Sequence, residues 1–360
     1  MLKKLDFYII KGFLGTFFFS IVVIMSIAIV FDIQEKFDDF IEHSVPLKEI
    51  IFDYYVNFVP YYVNLFSSLF VFIAVIYFTS HMANNSEIIA IHSSGVSLNR
   101  FLRPYMISAS ILTVLSWFLI MYIIPDANKV RLAFEDKYVF SRFQNWDRDM
   151  HKQVRPGVFV YIESYNVDTE HAFRFSMEKI VDGKLVSKLN SAYAKWDEDA
   201  EKWNVYDYYI RDFTPQGEEV IERGRMIDTV FYLTPEDFKQ RTVYVERLTI
   251  DELNEHIATQ KLQGSGNLNR LLVQKYQRWA YPFSTFILTI LGVSLSNRKK
   301  RGSTVVNVVL GLLLMFTYIL FMQISTTFTI KANLDPFISV WIPNIVYAII
   351  AFALYMKAKI

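Results

Sequence analysis

The chain has 360 residues, 53% of them hydrophobic and 17% aromatic, with 32 Phe and 22 Tyr. Ordinary soluble domains are less apolar, and a net charge of +1 offers no basic field of the kind that gathers nucleic acid, so no nucleic-acid partner is expected. With no Cys and only six scattered His, disulfides, thiolate nucleophiles and Cys-based zinc sites are excluded, and no HExxH or other paired-His spacing occurs.

In chain order, Lys3, Lys4 and Lys11 precede an apolar run from Gly12 to Phe31. It is longer than a signal-peptide core, has no small-residue cleavage site, and reads as a retained membrane span. Five further segments are free of Asp, Glu, Lys and Arg and long enough to cross a bilayer: Tyr54 to Ser80, Pro104 to Pro125, Trp279 to Asn297, Gly302 to Ile330 and Pro336 to Met356. Basic residues gather before the first span, at Arg100 and Arg103, at Arg298 to Arg301, and at Lys357 and Lys359. With six spans all four places fall on one side, which the positive-inside rule makes the cytoplasm, with both termini there. The expected layout is residues 1–125 with three spans, 126–278 as an extramembrane domain on the opposite side, and 279–360 with three more.

The first span leaves the membrane into an acidic stretch, Asp32, Glu35, Lys36, Asp38, Asp39 and Glu42. This is either a solvated loop or the mouth of a cavity, where Asp32, Glu35 and Lys36 would meet a charged headgroup. Between the second and third spans lies a short polar break, His81 to Arg103. Asn84, Asn85 or Ser86 is placed to cap a helix, with Glu87 in its first turn, where the helix dipole favours an anion. Ile88, Ile91 and His92 fall on one side at helical spacing, and Gly95 stands where such a helix stops. A short amphipathic helix over about 84–95 suits docking of a soluble partner; the plainer reading of Glu87 is an ordinary first-turn residue.

The middle segment has the pattern of an antiparallel β-domain. Gly157 to Glu163 is rich in strand formers and contains Phe159 and Tyr161. Phe173, Phe175 and Met177 alternate with Arg174, Ser176 and Glu178, which predicts a strand with one apolar face. Asp182-Gly183 predicts a hairpin turn into Lys184 to Lys195. Strands are also expected over Trp203 to Phe213, Glu218 to Arg223, Arg225 to Leu233 and Arg241 to Leu248, with a turn at Pro215 to Gly217. Thr249 to Glu252 reads as a capping box opening a helix, broken at Gly264 to Gly266. The apolar side of this domain is either simple core or a path for a lipid chain lined by Phe159, Tyr161, Phe173, Phe175 and Met177. There is no P-loop, no Ser-His-Asp arrangement and no carboxylate pair, so an enzyme with its own nucleotide site is disfavoured and no cofactor is expected. A membrane-anchored scaffold and a transporter subunit remain as alternatives.

Four stretches carry a resemblance: NSEIIAIHSSGVS from Asn85 to Ser97, YIIPDAN from Tyr122 to Asn128, LTPEDF from Leu233 to Phe238, and YPFSTFILTILGVSLSNRKKRG from Tyr281 to Gly302. Their order and spacing resemble the LptF/LptG permease family of the lipopolysaccharide exporter over essentially the whole length. The resemblance implies six transmembrane helices with a periplasmic β-jellyroll between spans three and four, in the bacterial inner membrane. It implies a heterodimer of an LptF-like and an LptG-like chain, enclosing a lipopolysaccharide cavity between first and fifth spans. It further implies an LptB-like ATPase dimer that grips the coupling helix, with Ser86, Glu87, Ile88, Ile91, His92 and Gly95 as coupling residues, and LptC-like and LptA-like proteins that receive the lipid. FDIQEKFDDF at the first-span exit points to the LptG-like member. One departure is that Lys36 is the only cation between Asp32 and His43, where some members place several.

Overall fold

The computed structural model describes residues 3–139, 148–166, 169–198, 200, 202–213, 219–229, 242–262, 268–297 and 303–359. The turn at Pro215 to Gly217, the LTPEDF stretch, the break at Gly264 to Gly266 and the run Arg298 to Arg301 lie outside the described residues. The chain divides into a helical unit, Met1–Val139 with Glu246–Ile250 and Asn269–Ile360, and a β-rich unit, Phe140–Val245 with Asp251–Leu268.

The helical unit begins with α1, Lys4–Glu42, a single 39-residue helix without proline. Its length is about 58 Å at 1.5 Å per residue, well beyond a hydrocarbon core of about 30 Å. The chain then passes through α2 (Leu47–Glu49), a π-helical turn over Ile50–Tyr55, α3 (Val56–Leu65) and α4 (Ser67–Asn84). The uncharged run expected as one span is broken at Phe66, whose ψ of 7° leaves the helix. α5 (Glu87–Ser93) follows, then α6 (Leu98–Phe118), a second π-helical turn over Leu119–Ile123, and α7 (Ile124–Tyr138). α8 (Ile250–Leu262) belongs to the β-rich unit from Asp251 on, and the helical unit resumes with α9 (Leu268–Ser296), α10 (Ser303–Ala332) and α11 (Pro336–Lys359). Among the described residues six helices are long and apolar enough to cross a membrane: Lys4–Glu42, Ser67–Asn84, Leu98–Tyr138, Leu268–Ser296, Val308–Ala332 and Pro336–Ala358. In hydrocarbon the backbone must bond itself, which is why uninterrupted apolar runs become helices here.

α4 is the centre of this unit. Its spanning stretch is 61% buried, against 17% for α1 and 28% for α10. Phe70, Val71, Ala74, Phe78 and Met82 cluster with residues of α1, α5 and α6, Val75 lies against Gly292 of α9, and Phe72 and Ile76 cluster with α9, α10 and α11. Three neighbouring helices bring a glycine to α4. A Cβ on Gly12 would lie 2.2 Å from the Phe78 ring, on Gly292 2.8 Å from Val75, and on Gly311 2.1 Å from Ile76. Without a solvent-driven hydrophobic effect between spans, such close backbone approach supplies the packing energy.

The β-rich unit is one antiparallel sheet: β1 (Arg148–Arg155), β2 (Val158–Asn166), β3 (His171–Phe173), β4 (Ser176–Val181), β5 (Lys184–Asp197), β6 (Lys202–Phe213) and β7 (Glu219–Thr229). β3 and β4 are two halves of one line, both paired between β2 and β5. Asp182 and Gly183, with φ of 51° and 75°, make the expected two-residue hairpin turn. Three positive-φ residues, Asp149 (54°), Arg174 (48°) and Asp207 (49°), mark a crease across the sheet. The registers on either side set Asp149 opposite Glu163, Glu163 opposite Arg174, Arg174 opposite Ala192 and Ala192 opposite Asp207. Burial changes parity at this line. In β2 it passes from Val160 and Ile162 to Tyr165, in β5 from Leu189 to Ala194, and in β6 from Val205 to the partly buried Ile210.

Three expectations are corrected. Phe173, Phe175 and Met177 do not share a face, because the crease at Arg174 inverts the alternation: Phe175 is 1% exposed in the core and Phe173 42% exposed. Glu218 to Arg223 and Arg225 to Leu233 are not two strands; Glu219–Thr229 is one, running past Gly224. Arg241 to Leu248 is no strand over its described part, where Thr242–Arg247 is a 3₁₀ turn. Val245 and Leu248, three apart, are both buried, which matches three residues per turn.

Candidate functional site

The polar turn between α4 and α6 is built as a short helix held on its inner face. Ser86, one of the three residues offered as the cap, enters α5 in the left-handed region (φ 62°) and its side chain makes no cap. Without the extended backbone of an ordinary N-cap, its oxygen does not reach the first-turn amides. Glu87 is half-buried; its carboxylate accepts from the Tyr8 hydroxyl of α1 at 2.8 Å and from Asn85 Nδ2 at 3.3 Å. Ile88 is 1% exposed, seated among Leu98, Phe101 and Met82, with Ile91 packed behind it. His92 has Nδ1 2.8 Å from the Val96 carbonyl and Nε2 3.4 Å from Asn297 Oδ1 at the end of α9, with its ring edge-on to Phe101. Gly95, at φ 86°, closes the helix: its N–H donates to the His92 carbonyl and that of Val96 to Ile91. Those two bonds make a Schellman motif, the ending anticipated for Gly95. Ser97 then caps α6, accepting from the Arg100 N–H at 3.3 Å. The outward surface of α5 is therefore Ile89, Ala90 and Ser93, of which Ile89 is 53% exposed. Most of the residues singled out by helical spacing are instead those that seat the helix.

A second tie joins this turn to α1. Asp6, 1% exposed, receives both guanidinium nitrogens of Arg100, NH1 to Oδ1 at 2.5 Å and NH2 to Oδ2 at 2.7 Å. The Lys3 backbone N–H donates to the same Asp6 at 2.8 Å. Neither Asp6 nor Tyr8 stands out by local spacing; the available signal is an acidic residue inside the otherwise apolar LDFYII.

At the far end of α1, Asp32 and Lys36 turn inward. Their ion pair is 2.8 Å long and both side chains are 12–13% exposed. Tyr54 and Tyr55 hydroxyls donate to the two Asp32 oxygens at 3.1 and 3.0 Å, Lys36 also bonds the Tyr54 hydroxyl, and its ammonium lies 4.4 Å from the Tyr54 ring centre. Glu35 alone of the three points outward. Of the three residues offered for a cavity mouth, Asp32 and Lys36 are thus joined by their helical spacing of four and enclosed by the tyrosines.

A buried ionic cluster lies nearby in the same unit. Arg131 donates to Glu135 at 2.8 Å and, through Nε, to Asn128 Oδ1 at 3.2 Å; its NH2 is 3.7 Å from Glu246. Its guanidinium lies 4.8 Å from the Tyr61 ring centre, and Asn128 Nδ2 donates to the Glu246 carbonyl at 3.1 Å. Alongside is a cleft of about 220 Å³ lined by Tyr61, Asn64, Asn128, Glu246, Gln277 and Arg278.

In the β-rich unit the proposed lipid-path residues divide between faces. Phe175 and Met177 join the core with Val160, Ile162, Leu189 and Trp203. Phe159, Tyr161 and Phe173 lie on the opposite face, Phe159 being 36% exposed. Tyr161 donates to Asp149 at 2.6 Å, and that carboxylate holds the phenol proton above its ordinary range. Among the described residues no group of three or more His, Cys, Asp or Glu is arranged to hold a metal ion.

No curated protein sequence matches the chain at a significant level. The family model for the lipopolysaccharide export system permease LptF/LptG matches residues 7–357, nearly the full length, and runs through all six spans and the sheet between them. A chain with six such helices, an inserted β-rich domain and this match belongs to the LptF/LptG family of lipopolysaccharide export permeases.

Proposed function

We propose that the chain is one half, LptF-like or LptG-like, of a two-chain permease that lifts lipopolysaccharide from the inner membrane, with both termini cytoplasmic and residues 126–278, the β-rich domain with its flanking helical connectors, periplasmic. An LptB-like ATPase dimer supplies the work by docking on α5. The observation that carries this reading is α5 itself: a seven-residue helix on a turn between two spans, its inner face fixed by Ile88 and His92 and its outer face, led by Ile89, left open. α1 and α10 are the least buried spans, which supports their facing a paralogous chain and a lipid cavity.

The energetics require two apolar shelters. At about 0.8 kcal/mol per CH₂, a multi-acylated lipid cannot leave the bilayer without another apolar surface at each step. The exposed Phe18, Phe19, Val22 and Phe31 of α1 supply the first. The core face of the sheet, with Phe175 and Met177, supplies the second, leading to LptC-like and LptA-like acceptors. The test is co-purification with the ATPase and partner chain, followed by ATP turnover with and without lipopolysaccharide. Ile89→Asp and Glu87→Arg are expected to weaken ATPase association while leaving membrane insertion intact. Normal association and export with both would refute docking at α5.

A further inference from the structure

We propose that Asp6, Tyr8 and Arg100 are positioning residues that make α1 a directly driven element of transport, moved as one block with the α5 turn and the start of α6 rather than through the length of the flanking spans. The inference rests on the function proposed above. Two ties fix the geometry. Arg100, in the first turn of α6, grips Asp6 in the first turn of α1 through two bonds of 2.5 and 2.7 Å. Tyr8, half a turn further on, donates to Glu87, the first residue of α5, at 2.8 Å. The paired fork–fork geometry fixes orientation as well as distance. Around it Ile9 and Phe13, both 0% exposed, pack with Ile88, Leu98, Phe101 and Tyr105. The starts of α1, α5 and α6 are therefore one block.

What leaves that block differs in stiffness. The span before α5, Ser67–Asn84, begins only after the break at Phe66, beyond which α3 holds Pro60; the span after α5 contains the π-helical turn Leu119–Ile123. Interruptions of this kind are where helices bend. α1 has none: Lys4–Glu42 is continuous α-helix. At its other end Asp32 and Lys36 lock it to Tyr54 and Tyr55. A displacement imposed on α5 is absorbed along the flanking spans and delivered whole along α1, the span most open to its surroundings.

The experiment uses the full complex with its ATPase and partner chain in lipid nanodiscs. Association and basal ATP turnover are read first, then lipopolysaccharide extracted per ATP hydrolysed, for the unsubstituted chain, Asp6→Asn and Tyr8→Phe. The loss of a charged bidentate bond should lower extraction per ATP about tenfold in Asp6→Asn, with a smaller loss for Tyr8→Phe, while association and basal turnover stay within about twofold. The sequence holds no Cys, so spin labels placed at Phe7 and Asn99 report the block directly. Their separation should hold through ATP binding in the otherwise unsubstituted chain and shift in Tyr8→Phe or Asp6→Asn. Full extraction per ATP in both variants, or a label separation that changes with nucleotide without them, overturns the inference and leaves the docking proposal standing. Failure of the unsubstituted chain to bind the ATPase overturns both. Should Asp6→Asn fail to insert, the label separation and Tyr8→Phe still decide.

Discussion

Replacing Arg131 by Met should destabilise the helical unit more than any comparable surface change. The guanidinium is 5% exposed and faces a Glu135 carboxylate that is 6% exposed, with a second carboxylate, Glu246, 21% exposed at 3.7 Å. Removing the cation leaves Glu135 charged and desolvated without its Arg131 partner, a loss that costs about 3 to 5 kcal/mol. Asn128, 0% exposed, also loses the donor to its Oδ1, and Tyr61 loses the guanidinium against its ring. The same reasoning sets a sharper expectation for Arg131→Met combined with Glu135→Leu. With both charges gone and volume kept, desolvation no longer opposes folding, and the double variant should return to within about 1 to 2 kcal/mol of the parent. Unfolding in detergent, titrated with SDS and followed by helix circular dichroism, gives all four corners of the cycle. A single variant costing less than about 1 kcal/mol, or a double variant costing the sum of the two singles, would show that Arg131 and Glu135 are not energetically coupled as their geometry requires.

Three further outcomes follow from backbone and packing geometry, each read as a shift in unfolding midpoint. Gly157→Ala should cost about 2 to 4 kcal/mol, because φ is +75° and the new Cβ would stand 2.4 Å from the Ile180 carbonyl oxygen, whereas Gly183→Ala, at the same φ but in open space, should cost only about 1 kcal/mol. Gly12→Ala should cost about 1 to 3 kcal/mol against the Phe78 ring, while Gly15→Ala, which meets nothing within 4 Å, should be neutral or gain up to about 1 kcal/mol. Arg174→Gly should be neutral or stabilising by about 1 kcal/mol, since glycine relieves the φ of 48° and the exposed Glu163 bridge contributes little, whereas Arg174→Val should destabilise the sheet.

Features written in consecutive residues were legible. The apolar runs gave the spans, the Asp182-Gly183 pair gave its hairpin, and Gly95 gave the end of α5, because each depends on chemistry within a few positions. The failures share a cause as well. Phe173 was assigned to the face of Phe175 because alternation assumes an unbroken pleat, while the crease depends on Asp149, Arg174 and Asp207 lining up across strands. Thr242–Arg247 alternates like a strand but is a 3₁₀ turn, since six residues do not separate periods of two and three. The enclosure of Lys36 has no local signal, because its Tyr54 partner lies 18 residues away. Asp6 and Arg100 are 94 residues apart, and no local pattern links them.

The charges of the helical unit also show how a membrane-spanning lever tolerates polar ties. Along α1 the Asp6 and Asp32 positions are separated by about 39 Å of helix, more than the roughly 30 Å of hydrocarbon a bilayer presents. Between them the helix carries one charge, Lys11, in its third turn. Ion pairs placed within that stretch would suffer the full cost of desolvation in lipid. Placed at its ends, Asp6–Arg100 and Asp32–Lys36 keep tyrosines and backbone amides as further partners and remain close to the polar boundary. The middle is held instead by shape: Gly12 against Phe78 close to one end, then Phe13 and Phe17 packed on α4 and α6. Such a helix can translate or tilt as a body, because its directional bonds are confined to two points and its central contacts are apolar and without direction. That division of labour suits the role proposed above for α1, a span moved as a body beside the lipid cavity.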